Sequence, residues 1–199
     1  MGPPWGAFCQ IILTSCYQLR QLRAVRRTPS AEAAKTLVHA LITTRVDYCN
    51  SVLYGVTTTN LRPLQSVINA AARLITAKRK FDHITDTLVD LHWLPVRQHI
   101  QFKLCSLVSE CQRRTAPSYL ADICISVSAM SGRTHLRSAI HCDLVVPRTR
   151  LTRYGPRSFA VSGPATWNRL PPDLRGMSLR CQFLQLKTEL FIRAYYMRS

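Results

Sequence analysis

The sequence predicts a mainly α-helical protein: a helical region over residues 16–125, then a small α+β tail over 126–199 that includes a β-hairpin. Three observations lead there. Apolar residues recur at three- and four-residue spacing through most of the first two thirds of the chain. Hydrophobic residues make up 47% of the 199 residues, enough to bury a core. Two short β-branched strings in the last third are separated by turn-forming and basic residues.

Residues 1–15 form a lead containing Pro, Gly and Trp with no clear period, read as unstructured. A first helix is expected from Tyr17, with Leu19 and Leu22 on one face and Arg20, Arg23, Arg26 and Arg27 on another. Thr28-Pro29-Ser30 breaks it, and Ser30 is suited to cap the next helix with Glu32 in its first turn. That helix is expected to run unbroken from Ala31 to Tyr54, where Gly55 stops it. Thr57 to Asn60 leads into a third helix, striped by Leu61, Leu64, Val67, Ile68, Ala71, Leu74 and Ile75. Ala70-Ala71-Ala72 invites close packing, and Lys78-Arg79-Lys80 suits the negative end of the helix dipole.

Asp82 is expected to cap a short helix to Leu91, and Pro95 to open another whose stripe is Val96, Ile100, Leu104, Leu107, Val108 and Cys111. A short segment from Pro117 to Ile123 follows. Residues 126–142 read as loop, and Leu144–Pro147 and Ser158–Val161 as the two strands of the hairpin. Gly163-Pro164 and Pro171-Pro172 punctuate the chain before a last helix from Leu179 to Tyr196.

Charge narrows the function classes. Twenty-seven Lys and Arg against ten Asp and Glu give a net charge of +17. Self-repulsion of that size opposes compactness and calls for a polyanionic partner, nucleic acid first. No apolar run is long enough to span a bilayer, and no signal peptide is evident, so an intracellular location is expected. The eight cysteines form no CxxC pair, and most are expected to be buried small hydrophobes.

Ordered strings then suggest a family. They include Tyr17-Gln18-Leu19-Arg20-Gln21-Leu22-Arg23, Arg45-Val46-Asp47-Tyr48-Cys49-Asn50 and Asn69-Ala70-Ala71-Ala72-Arg73-Leu74. Phe81-Asp82-His83-Ile84-Thr85, Leu91-His92-Trp93-Leu94-Pro95-Val96, Ala116-Pro117-Ser118-Tyr119-Leu120 and Trp167-Asn168-Arg169-Leu170-Pro171 follow. Over about residues 15–196 the chain resembles the region after the palm in LINE-type, non-LTR retrotransposon reverse transcriptases. The resemblance implies a thumb-like helical bundle and a carboxy-terminal domain, and a nuclear location if the ancestral role persists. Fingers, palm and endonuclease have no counterpart here, and residues 1–14 match nothing in the family.

Polymerisation needs carboxylates that hold two metal ions. The family places them in an aromatic-x-Asp-Asp turn, and no Asp-Asp pair occurs in this chain. No catalytic residue is therefore assigned, and no cofactor is called for. Asp82, Asp86 and Asp90, spaced four apart, are read as a cap and solvated carboxylates. The Cys and His residues between Cys105 and Cys142 lack paired zinc-ligand spacing, so no metal is assigned. Trp93 and Trp167 are read as packing wedges.

What remains is basic. Arg20, Arg23, Arg26 and Arg27 on the first helix, Lys78, Arg79 and Lys80 after the third, and Arg148, Arg150, Arg153 and Arg157 along the hairpin are the candidate phosphate contacts. Two further outcomes stay open: an inert product of a degenerate element, and an interaction protein that self-associates through exposed apolar helix faces.

Overall fold

The computed structural model describes residues 5–25, 30–48, 53–79, 81–132, 137–150, 155–176 and 179–197. Its fold is mainly α. The helices are α1 (Trp5–Val25), α2 (Ala31–Val38), α3 (Thr44–Tyr48), α4 (Thr58–Thr76), α5 (Thr85–Asp90) and α6 (Val96–Gln112). They continue as α7 (Ser118–Ala121), α8 (Arg137–Ile140), α9 (Phe159–Trp167), α10 (Pro172–Arg175) and α11 (Leu179–Tyr195). The chain divides into two compact units. Unit 1 is Met1–Asn50, Val56–Arg97 and Ala194–Ser199; unit 2 is Ser51–Gly55 and Gln98–Arg193. Unit 2 thus takes in residues on both sides of the expected boundary between 125 and 126.

In unit 1, α1 and α2 pack against α4. The shared core is Leu19 and Leu22 of α1, Val38 of α2, Ile42, and Val67, Ala71 and Leu74 of α4, with Trp93 packed against it. Each large apolar side chain fully buried there contributes about 1.5–3 kcal/mol of transfer free energy. Ala71 and Ala72 have no exposed surface, as expected of a seam where helices approach closely. The Gln65 side chain accepts a hydrogen bond from the Val96 backbone N–H at 2.9 Å and donates to Asn69 at 2.9 Å, so α4 caps the start of α6. Tyr195 donates its hydroxyl to the Trp93 carbonyl at 2.7 Å.

Four expectations in this unit are corrected. The lead is not without structure throughout, because α1 begins at Trp5. Ala7, Gln10, Leu13 and the Ile11-Ile12 pair sustain a helix, and Ile12 packs on the core. The helix from Ala31 is not unbroken. After α2 the chain makes one π turn over His39–Thr43, in which the Thr44 N–H donates to the His39 carbonyl, and then resumes as α3. Val38, Ile42 and Val46, four apart, are all buried across this turn. The third helix ends before its basic cluster, at Thr76, with Ala77 left-handed at φ 62°. Lastly, Asp82 does not cap α5, which starts at Thr85 after Ile84. Ser30, by contrast, does cap α2, accepting from the Ala33 N–H at 3.3 Å.

Unit 2 is joined by long-range polar contacts around an apolar interior of Leu104, Val108, Trp167, Leu170, Leu186 and Leu190. Buried Gln182 of α11 accepts from the Ser109 hydroxyl of α6 at 2.6 Å and donates to the Leu174 carbonyl at 2.8 Å. Arg175 donates to the carbonyls of Leu170 at 3.1 Å and His141 at 2.8 Å, and pairs with Asp143. Burial pushes its guanidinium below the ordinary value. The Trp167 indole donates to the Cys142 carbonyl at 3.2 Å.

The expected hairpin does not form. The only β pairing among the described residues is a single antiparallel bridge between Ser126 and Leu144. Asn168 takes the place of the second strand. Its amide accepts from the Leu144 N–H at 2.9 Å and donates to the Leu144 carbonyl at 2.8 Å. Residues 158–161 instead cap and start α9, with Ser158 extended at its N-cap. Pro164 lies inside this helix, where a proline costs about 3 kcal/mol. Burial from Ser162 through Pro164 and at Thr166 and Trp167 offsets that cost. Gly163 is required, since a Cβ there would stand 3.1 Å from Val108 of α6 and 3.0 Å from Phe159. The stretch 126–142 is not all loop, for it holds a 3-10 turn at Val127–Ala129 and α8.

Candidate nucleic-acid interface

The basic residues sort by how the helices present them. On α1, Leu19 and Leu22 turn inward, which by helical spacing leaves Arg20 and Arg23, three apart, on the outer face; both are exposed. Arg26 and Arg27 lie outside the described residues. Leu13 and Tyr17 are exposed on the same helix, at 66% and 61%. Beside them, Gln18 donates its amide to the Leu41 carbonyl at 2.7 Å and accepts from Arg45 at 3.3 Å.

Lys78 and Arg79 stand in the connection that follows α4, with Lys78 half-buried and Arg79 exposed. Lys80 lies outside the described residues. The connection is tied down by Asp82. Its carboxylate accepts from the Arg79 N–H at 2.7 Å, its own N–H donates to the Arg79 carbonyl at 3.3 Å, and Arg73 donates to its carbonyl at 3.3 Å. Arg73 thus holds a backbone oxygen of the connection. Phe81, at 90% exposed, and exposed His83 flank Asp82.

In unit 2, Arg148 and Arg150 are exposed on the extended run after Leu144. Arg153 lies outside the described residues. Arg157 is not on a hairpin. It sits half-buried in a 3-10 turn at Gly155–Arg157, its side chain 3.7 Å from where a Cβ on Gly55 would stand. The structure therefore brings Arg20 and Arg23 together in one place and Lys78 and Arg79 in another, and separates Arg157 from Arg148 and Arg150 in kind. Exposed Arg45, Arg62 and Arg97 were missed because each stands alone in sequence, without a cluster to mark it.

Among the described residues no three His, Cys, Asp or Glu gather as a metal site. Asp86 and Asp90 are exposed on α5. The cysteine expectation is corrected in part: Cys105, Cys111 and Cys124 are buried, whereas Cys9, Cys16, Cys142 and Cys181 are exposed. Cys9 and Cys16 lie on the outward side of α1, Cys181 in the first turn of α11 and Cys142 in the turn after α8. Burial pushes the Cys105 and Cys124 thiols up to about 12. No helix of the described residues is long and apolar enough to cross a membrane. Compared with known proteins, the chain matches no family model, no curated protein and no solved structure.

Proposed function

We propose that this chain is a non-catalytic, sequence-nonspecific nucleic-acid-binding protein, descended from the thumb and tail of a LINE-type reverse transcriptase. The observation that carries the reading is a net charge of +17 with Arg20, Arg23, Arg79, Arg148 and Arg150 all held at the surface. Exposed guanidinium groups bind phosphate oxygens in a forked geometry and carry no base code of their own. The ordered strings that resemble the family support the ancestry, and the missing Asp-Asp pair supports the absence of polymerase chemistry. A nuclear location follows from the same ancestry.

Salt dependence tests the reading. If about six phosphates are neutralised at once, affinity for duplex DNA falls about a thousandfold over a fourfold rise in salt. Replacing Arg20 and Arg23 together by Ala lowers the slope of log K against log salt by about two. A folded sample that binds neither RNA nor DNA in a salt-sensitive way would falsify the proposal.

A further inference from the structure

Two thiols from separate parts of unit 2 meet beneath a surface segment. Cys111 stands at the end of α6, and Cys124 follows α7; both are buried, at 3% and 5% exposed. Their side chains are hydrogen-bonded to one another. The backbone holds the same approach: the Gln112 side-chain amide donates to the Cys124 carbonyl at 2.8 Å, and the Cys124 N–H donates to the Ala121 carbonyl at 3.1 Å. Cys105 is also buried, but it precedes Cys111 on the same helix by a spacing that turns it about a third of a turn away. The chain between Cys111 and Cys124 contributes little to the interior. Every residue from Gln112 to Ile123 is exposed or half-buried, and α7 buries none of its side chains. A segment with so few buried contacts opens locally at low cost, which gives a solute access to thiols covered in the closed fold.

We propose that Cys111 and Cys124 form a reversible disulfide, a redox-controlled staple between the end of α6 and the segment that leads to the Ser126–Leu144 bridge. A disulfide holds its sulfurs about 2 Å apart, so closing it from a hydrogen-bonded pair takes a shift of about 2 Å or less. The unburied linker is free to take up that shift. The oxidant is a small diffusible disulfide, such as oxidised glutathione. One protein thiolate attacks it, forms a mixed disulfide and releases one small thiol; the second protein thiol then displaces the other half. The chain gains one S–S bond and gives up two protons and two electrons, while the oxidant loses its S–S bond and leaves as two thiols. Burial keeps both thiols protonated in the closed fold, so the exchange runs through the opened segment and is slow. Once formed, the bond closes the loop from Gln112 to Ile123 in the unfolded chain as well, which makes the oxidised protein the more stable form.

The test incubates the folded full chain with oxidised glutathione, quenches with acid, blocks remaining thiols with N-ethylmaleimide in urea, and maps tryptic peptides by mass spectrometry without reduction. Cleavage after Arg113 and Arg114 separates the two cysteines. The expected result is a linked pair of peptides carrying Cys111 and Cys124, which dithiothreitol separates. The pair persists in Cys105→Ala and is lost in Cys111→Ala. Oxidised wild-type protein melts about 5 °C above its reduced form, and Cys124→Ala shows no such gain. Mapping of the wild-type chain decides the question even where a variant fails to fold. If Cys111 and Cys124 are recovered blocked, each carrying glutathione, or linked to other cysteines, after the exposed Cys9, Cys16, Cys142 and Cys181 have reacted fully, the proposal is overturned. A linked pair that forms only in urea-unfolded protein, or one that brings no rise in melting temperature, overturns it equally.

Discussion

Unit 1 and unit 2 are built by different means. Unit 1 is held by apolar stripes on long helices, Leu19 and Leu22 against Val38, Ile42, Val67, Ala71 and Leu74. Unit 1 adds two ties between distant residues, Gln65 to Val96 and Tyr195 to Trp93. Unit 2 has an apolar interior too, but it adds more side-chain bonds between residues distant in sequence, several of them on its short pieces. Asn168 grips Leu144 across 24 residues, Arg175 grips His141 across 34, and Gln182 grips Ser109 across 73. A long amphipathic helix can find its partner by burial alone. A four-residue helix such as α8 or α10 buries too little to do so and depends on directional bonds. The comparison teaches that polar side chains specify position where element length cannot.

The largest effect expected from breaking that contrast is in unit 2, at Trp167, where packing and a directional bond coincide. Trp167→Ala removes a nearly fully buried ring and the bond to Cys142, and lowers stability by about 4 kcal/mol. Urea unfolding followed by circular dichroism measures it. A loss no larger than that of a surface substitution would show that α9 is not a keystone.

The sharper comparison is between two polar truncations. Asn168→Ala leaves both polar groups of the Leu144 peptide without their partner and destabilises by about 2 kcal/mol. Ser30→Ala in unit 1 removes only a helix cap and destabilises by about 1 kcal/mol. If the order is reversed, the distinction between the units fails.

Alkaline pH gives the most gradual effect, and it reaches both units. The Cys105 and Cys124 thiols of unit 2 rise from an ordinary 9.0 to about 12, and the Tyr195 phenol of unit 1 rises from 10.0 to about 12, all by burial first. In each case the folded state holds its proton more tightly than the unfolded one. The stabilisation is therefore complete below pH 9 and is lost as pH rises toward 12. Stability measured between those limits should decline steadily. In native protein near neutral pH, iodoacetamide should label Cys9, Cys16, Cys142 and Cys181 well before Cys105 or Cys124.

Legibility in the sequence followed the same division. The α4 and α6 stripes were readable because their periods repeat over several turns, and Ser30 was readable because capping is a local event. The π turn after Val38 was not, since its i to i+5 bond leaves the apolar spacing helical on both sides. The Ser158–Val161 string read as a strand because β-branched and aromatic residues fit either period over four positions. The helix instead goes with burial at Ser162, Gly163, Pro164, Thr166 and Trp167, beyond the four residues of the string. Among the candidate phosphate contacts, clustering in sequence found Arg20 with Arg23 and Lys78 with Arg79. It could not separate exposed Arg148 from half-buried Arg157. The meeting of Cys111 with Cys124 was not visible, because proximity is a property of the fold.

The grip of Asn168 on Leu144 also bears on aggregation. Leu144-Val145-Val146 is the kind of β-prone run that recruits another chain when its backbone is open. Here the backbone from Asp143 to Val145 is engaged on both sides. On one side the Asp143 carbonyl accepts from the Val127 N–H and the Val145 N–H donates to the Ile125 carbonyl, each at 2.9 Å. On the other side the groups of Leu144 are taken by a single side-chain amide. One asparagine thus occupies the edge at Leu144, where a neighbouring strand would otherwise pair, and blunts templated pairing between copies at that residue.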